Sequence, residues 1–466
     1  MKKQMQLSFL GQRYEFAHPK KYNGNHEVKF AITGCLIWFV AIIIRLGISE
    51  EKRWTLIEQI VEALSFVVFS GIPIFFLATP QGSKFAKNVL VKNNGLWFQV
   101  IFCTNLAIYI SCVKFLELSP DKFIWLDQMN DLIVKDNFWL NSSLFLLGAF
   151  AALRLPFLIL KFRKANNITN LQNSTKFYRD NSQAFILLGI NFIYIVASHT
   201  SLISTYFKPN YLEGYYIGFG YLLAFFMMNL QVCKNTPPDK LMIFDLLLIL
   251  ICISILFWFS TPFFSFGIFI GIDLFIVVII YGIGLEREHF GYSFQPQMKD
   301  IGYLFKQVLL AFLVLVPLAL TSGFVQVSFF KTNPGILKLL SYFVLFSFRV
   351  GIFEEILFRS GLMTFIRDQL ISSSREKLNV KYLVFFPAFI CSIIFGISHI
   401  GNQPGAGSLL TPLAYKTAYV GLATLASLFY SLAFGETNRL WCSIMIHGFV
   451  DTVTVVFLGG FITVPF

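Results

Sequence analysis

Apolar stretches long enough to cross a bilayer recur along almost the whole of this chain, and no soluble fold accommodates that pattern. They fall at approximately 30–48, 60–78, 96–113, 138–160, 184–206, 215–232, 241–259, 264–285, 307–325, 336–365, 382–400, 411–434 and 440–463. Each is near the roughly 20 residues that a helix needs to span about 30 Å of hydrocarbon. Of the 466 residues, 56% are hydrophobic and 13% charged, against about 25% charged in an ordinary soluble domain. A soluble core of that apolarity would lack residues to cover its surface. The expected fold is all-α, a polytopic transmembrane helical bundle of about 13 spans, because only helix satisfies the backbone of such runs in lipid.

Charge sets the orientation. Lys2, Lys3, Arg13, Lys20, Lys21 and Lys29 precede the first span, and basic residues recur in the even-numbered loops (Lys84, Lys87, Lys92; Lys161, Arg163, Lys164; Arg367, Arg375, Lys377, Lys381). The third loop is acidic, with Glu117, Asp121, Asp127, Asp131 and Asp136. The positive-inside rule therefore predicts a cytoplasmic N-terminal tail over 1–29 and cytoplasmic even loops. The net charge of +12 is spread over short loops, which fits attraction to anionic headgroups and not nucleic-acid binding. The seven cysteines form no CxxC pair and lie almost all in apolar runs, as small buried hydrophobes do. Residues 1–29 are polar, so no cleavable signal peptide is expected and the first span is read as an uncleaved anchor.

Organisation is uneven. Residues 30–300 hold about eight spans and no chemical motif, whereas everything reactive lies in 301–466, about five spans. The polar segment from Glu286 to Gly302 is the expected boundary. No internal repeat is visible, which removes the two-halves signature of many secondary transporters.

Inside the C-terminal spans the chain places Glu354, Glu355 and Arg359 in one apolar stretch, then Phe395 and His399 in the next, then His447 and Asp451 in the last. A charged residue at a helix centre costs roughly 3 kcal/mol on translocon scales. Facing lipid, this group would cost roughly 10 kcal/mol, so a shared polar site inside the bundle is expected. Glu355 and Arg359 share a face one turn apart and can neutralise each other. Glu354 is rotated by about 100° from Glu355 and is left for chemistry as a general base. Phe395 and His399, and again His447 and Asp451, are one turn apart. Two imidazoles and two carboxylates can bind zinc with a position open for water, which would make Glu354, His399, His447 and Asp451 metal ligands. The same set can instead activate water with no metal, Glu354 and His399 taking the proton while His447 and Asp451 stabilise the oxyanion.

The order Glu-Glu-x-x-x-Arg, Phe-x-x-x-His, His-x-x-x-Asp, with Phe358-Arg359-Ser360-Gly361 after the first motif, resembles the CAAX protease and bacteriocin-processing (CPBP, or Abi) family of intramembrane proteases. The resemblance covers roughly 300–466. It implies an endopeptidase cutting a membrane-associated protein or peptide, with Glu354 and His399 activating water. It also implies that His447 and Asp451 position or stabilise the oxyanion, while Glu355, Arg359 and Phe395 support the site. In the family's prenyl-protein endopeptidases the last position is usually asparagine; Asp451 accepts hydrogen bonds and donates none while ionised. The resemblance and the size of the chain also imply a multi-pass protein of the plasma membrane, of the bacterial inner-membrane kind.

Each residue has a plainer reading. Glu355 and Arg359 read first as a structural ion pair. Lone intramembrane polar residues such as His199, Asp245, Asp273, Glu62, Arg45 and Arg154 read as helix-end snorkelling or single interhelical bonds. Two other functional classes fit a polar cluster in a membrane: a proton-coupled transporter relaying through Glu354, His399 and Asp451, and an inactive membrane scaffold. The substrate and the oligomeric state have no signature in the sequence. One geometric tension stands: His399 ends its span on the outer side, and His447 begins its span on the inner side. The two meet only if both lie nearer mid-membrane than the span boundaries suggest.

Overall fold

The computed structural model describes residues 6–9, 12–15, 24–48, 55–115, 272–325, 335–373, 379–400 and 410–456, with a few single positions between 146 and 160. Helix dominates. The departure from an all-helical chain is a short antiparallel hairpin of β1 (Gln6–Phe9) and β2 (Gln12–Glu15) in the expected tail, paired from Gln6 with Glu15 to Phe9 with Gln12. Among the described residues five helices are long and apolar enough to cross a membrane: Glu27–Ile44, Leu56–Phe76, Met298–Thr321, Lys381–Ser398 and Pro412–Thr437. Three shorter apolar helices join them, Leu96–Cys112, Ile272–Gly282 and Leu440–Val456. The expected spans at 138–160, 184–206, 215–232 and 241–259 lie wholly or mostly outside the described residues.

The chain forms two compact units, Met1–Arg53 with Ala78–Pro80 and Glu286–Phe466, and Trp54–Leu77 with Gln81–Leu285. The first unit therefore takes in the N-terminal helix α1 (Gly24–Ile48) and the polar segment from Glu286, the segment in which the sequence places a boundary. The reason is ionic. Arg287 Nη1 and Nη2 donate to Glu27 of α1 at 3.0 and 3.3 Å, and both side chains are buried.

In the second unit, α2 (Leu56–Phe66, continuing as π-helix over Val67–Phe76) starts with a capping box, Thr55 accepting from the Glu58 amide and Glu58 from the Thr55 amide. It packs on α3 (Leu96–Phe115) through Phe69, whose ring lies 5.8 Å from Phe102 and 6.0 Å from Tyr109. Helix α4 (Ile272–Gly282) is buried along its length.

The first unit continues with α5 (Met298–Thr321), which buries one strip, Gln307, Ala311, Leu315 and Ala319, at a spacing of four residues. Its other faces expose Phe305, Phe312 and Leu313, the pattern of a helix with one protein-facing stripe and lipid on the rest. Helix α6 runs unbroken over 335–373: α-helix at Gly335–Leu345, π-helix at Phe346–Gly351, one α-turn at Ile352–Glu355, π-helix again at Ile356–Met363, and α-helix at Thr364–Ser373. It meets α1 through Trp38 and Phe348, 6.2 Å between centroids. Helix α7 (Val380–Ser398) is capped by Asn379, which accepts from the Lys381 amide. Helix α8 (Pro412–Thr437) is capped by Thr411 with Pro412 in its first turn, and ends at Asn438 in the left-handed region. Two residues later α9 (Leu440–Val456) begins, so α8 and α9 form a tight helical hairpin.

Close contacts fix how these helices stand. A Cβ on Gly448 of α9 would fall on Ser347 Oγ of α6, and one on Gly396 of α7 on Thr424 Oγ1 of α8. Glycine at both points lets backbones approach more closely than any side chain allows, the usual packing device where lipid supplies no hydrophobic drive.

Candidate active site

The single α-turn Ile352–Glu355, with π-helix on both sides, carries both glutamates. Widened turns of this kind interrupt the regular ladder and re-aim side chains, and they recur at functional sites. Here the two acids separate. Glu355 is fully buried, while the Glu354 side chain keeps 29% of its surface exposed.

Glu355 is the hub. Its Oε1 lies 2.9 Å from Arg359 Nη1 and 2.8 Å from His447 Nδ1. The carboxylate pairs ionically with Arg359 and accepts from His447, so Nδ1 of His447 carries a proton and Nε2 is the working nitrogen. Nε2 faces Asp451 Oδ2 at 3.4 Å and Glu354 Oε2 at 3.7 Å. Glu354 Oε2 is itself buried and has no hydrogen bond among the described residues. Three carboxylates therefore surround one imidazole and one guanidinium.

Arg359 is fixed from every side. Nη2 donates to Ser427 Oγ at 2.7 Å and to the Ser427 carbonyl at 3.1 Å, and Cζ lies 5.0 Å from the Phe395 ring centre and 5.3 Å from that of Tyr430. Such stacking on two aromatic faces suits a planar guanidinium and no ammonium.

His399 sits apart from the carboxylates. It is the C-cap residue of α7, half-buried, with Nδ1 donating to the Phe395 carbonyl at 2.8 Å. Because a carbonyl only accepts, Nε2 of His399 also holds the free lone pair. The link to the other motif is Phe395, whose ring lies 4.7 Å from the His399 ring and 6.0 Å from that of His447. No hydrogen bond joins His399 to Glu354 among the described residues. His447 lies mid-way along α9 and not at its start, which eases the tension between the two span ends.

The structure thus brings Glu354, Glu355, Arg359, His447 and Asp451 into direct contact and places His399 against them through Phe395. Helix α8 adds residues the motifs did not signal: Ser427 and Tyr430, one turn apart and fully buried, and Tyr419. Polar and aromatic residues at a spacing of three in an otherwise apolar helix were the available sign. Among the described residues no three His, Cys, Asp or Glu side chains are placed to hold one metal ion. Glu354 and Asp451 do approach Nε2 of His447, but His399, the second imidazole of the expected set, does not join them.

Every one of these residues falls inside 336–453, and that segment matches the family model for type II CAAX prenyl endopeptidases, Rce1-like. Residues 336–453 are therefore similar to the Rce1-like type II CAAX prenyl endopeptidases. The matched segment begins within the first turn of α6 and ends two residues beyond Asp451, so it covers the whole constellation and about a quarter of the chain. No curated protein and no solved structure matches the chain. The family supports a multi-pass membrane protease acting on a membrane-associated substrate.

Proposed function

We propose that the Rce1-like domain is an intramembrane endopeptidase that hydrolyses a peptide bond of a membrane-associated protein or peptide with a water activated by Glu354 and His399. The observation that carries this reading is the contrast between the paired acids: Glu355 is fully buried with Oε1 against Arg359 and His447 Nδ1, while Glu354 is 29% exposed and turns an oxygen without a donor toward His447 Nε2. A carboxylate oxygen free to accept, next to an imidazole nitrogen, is what removal of a proton from water requires.

In this reading Glu354 takes the proton as water attacks the scissile carbonyl, with His399 Nε2 the second acceptor. His447, held by Glu355 through Nδ1 and by Asp451 near Nε2, carries the proton that stabilises the oxyanion and then passes it to the leaving amine. Asp451 orients His447 by acceptance alone, a role that an ionised aspartate can fill. Arg359 and Glu355 hold the geometry. The Glu355 bond to Nδ1 of His447 would leave Nε2 free for a metal, but His399 makes no contact with the two carboxylates and no third ligand joins them among the described residues.

The transporter reading has one supporting feature, an intramembrane acid and imidazole cluster, which also marks proton relays. The match over 336–453 favours hydrolysis. The test is cleavage of a prenylated CAAX peptide by purified protein in detergent. Glu354→Gln is expected to lower kcat by about 100-fold or more, the scale of general-base catalysis. Wild-type turnover in Glu354→Gln would remove Glu354 from the mechanism.

A further inference from the structure

Three places outside the hub hold chemistry that the proposed reaction does not use: the buried Asp273 and Gln99 of the second unit, the His289–Asp368 pair, and the aromatic face that α8 turns toward the histidines. The last carries the furthest. Tyr419 stacks on His399 with ring centres 5.4 Å apart and planes at 20°. Tyr430 stacks on His447 at 4.7 Å and 16°. The two tyrosines are about 11 residues apart, close to three helical turns, so they share one face of α8. The other ring contacts of these histidines, both to Phe395, are tilted or edge-on, at 39° for His399 and 75° for His447.

For each imidazole one torsional question is already answered by a hydrogen bond. Nδ1 of His399 is held by the Phe395 carbonyl and Nδ1 of His447 by Glu355, which chooses the nitrogen left free. A single bond at Nδ1 still lets the ring rock about that contact and swing Nε2 through an arc. A flat aromatic neighbour closes that freedom, because an offset stack is lost when one plane tilts. Tyr430 is itself braced, with Arg359 over its face and Phe395 against its edge at 6.4 Å and 89°.

We propose that Tyr419 and Tyr430 are positioning residues, one for each histidine, and that α8 is the rail that sets both imidazole planes so that Nε2 of His399 addresses the water and Nε2 of His447 the oxyanion. This rests on the hydrolytic reading above. The ring, and not the hydroxyl, does the positioning, so phenylalanine is a sufficient substitute at both sites and an aliphatic side chain is not. A misplacement of about 1 Å at a reacting group can cost about 100-fold in rate.

The experiment compares Tyr419→Phe, Tyr419→Leu, Tyr430→Phe and Tyr430→Leu with Glu354→Gln, using a farnesylated fluorogenic CAAX peptide and the full chain in detergent. Expected are near wild-type kcat for both phenylalanine variants and a fall of about 10–100-fold in kcat for both leucine variants, with KM changed less than about twofold. A second readout needs no substrate. With the six histidines selectively labelled, Tyr419→Leu is expected to move the ring-proton NMR signals of His399, assigned by a His399→Gln variant, through loss of the stacked ring current, while Tyr419→Phe leaves them in place. Wild-type kcat in Tyr419→Leu, or equal losses for Phe and Leu, overturns the proposal. So does an unmoved His399 signal in Tyr419→Leu. If Tyr430→Leu does not fold, Tyr430→Phe and the half-buried Tyr419 decide. Full activity of Glu354→Gln would instead sink the hydrolytic reading, and the NMR result would still stand or fall by itself.

Discussion

Replacing Glu355 by glutamine is expected to unfold this protein more readily than any other single change among the motif carboxylates. Glu355 Oε1 meets two partners at once, Arg359 Nη1 at 2.9 Å and His447 Nδ1 at 2.8 Å, and the pair with Arg359 is wholly buried. Glutamine keeps the shape and one acceptor but removes the charge, which leaves the Arg359 guanidinium uncompensated in a low-dielectric interior. Removing one member of a buried pair costs roughly 3–5 kcal/mol. The Ser427 hydrogen bonds and the two aromatic faces on Arg359 are present before and after, so they do not offset the loss. Glu354→Gln removes only contacts of 3.7 Å from a side chain that is 29% exposed, and relieves repulsion among three acids, so its cost is expected within about 1 kcal/mol. At about 2–4 °C per kcal/mol for a cooperative unit of 150–250 residues, Glu355→Gln should melt about 6–20 °C below the wild type and Glu354→Gln within about 4 °C. The assay is the fraction of protein eluting as folded particle after heating in detergent. The double variant Glu355→Leu with Arg359→Met, which deletes both charges together, should recover part of the loss, since apolar replacement of a whole buried pair is often neutral. Recovery should be incomplete, because His447 Nδ1 would then be left without its acceptor, at about 1–3 kcal/mol. Equal melting temperatures for Glu355→Gln and Glu354→Gln would refute the hub.

Further outcomes follow from the same contacts. Gly448→Val should push α9 away from Ser347 and pull His447 off Glu355, costing about 1–3 kcal/mol and most of the activity; Ser347→Gly added to Gly448→Ala should restore more than it does in the wild-type background. Arg359→Lys should behave nearly as poorly as Arg359→Ala in both yield and cleavage, because an ammonium cannot reach Glu355 and Ser427 together while lying flat on Phe395 and Tyr430. A strong chelator is expected to leave peptide cleavage unchanged; loss of activity restored by zinc would show that His399 and the carboxylates do converge on an ion during the reaction.

Much of the arrangement was legible because lipid enforces it. Apolar runs named the helices α2, α3, α7 and α8 to within a few residues, since an exposed backbone polar group in hydrocarbon is intolerable, while α1 and α5 begin earlier than their runs, at Gly24 and Met298. Glu354, Glu355, Arg359, His447 and Asp451 stood out for the same reason: each is too costly in lipid to be idle. The orientation of Glu355 was only half legible. Helical spacing gives its Arg359 partner, but the bond to His447 crosses to another helix, and no periodicity encodes that. The tyrosines of α8 were hidden for a related reason: among so many aromatic side chains in lipid-facing positions, two more at helical spacing look like bulk. The membership of α1 in the C-terminal unit depends on Glu27 and Arg287, each unremarked near a helix end or in a polar connector. Only their meeting gives them meaning.

That meeting also has a schedule. Glu27 and Arg287 are 260 residues apart in sequence, and translation at about 5–20 residues per second separates their synthesis by roughly 13–52 s. Through that interval α1 stands in or at the bilayer with an acid whose buried partner has not been made, and Trp38 waits longer still for Phe348. An unpaired acid in a span costs roughly 3 kcal/mol. Glu27, at the end of its span, is therefore expected at the headgroups until the connector arrives. The second unit is inserted entirely within that wait. A chain cut short anywhere before residue 287 would leave α1 in the membrane without its ion-pair partner, a state that membrane quality control can recognise.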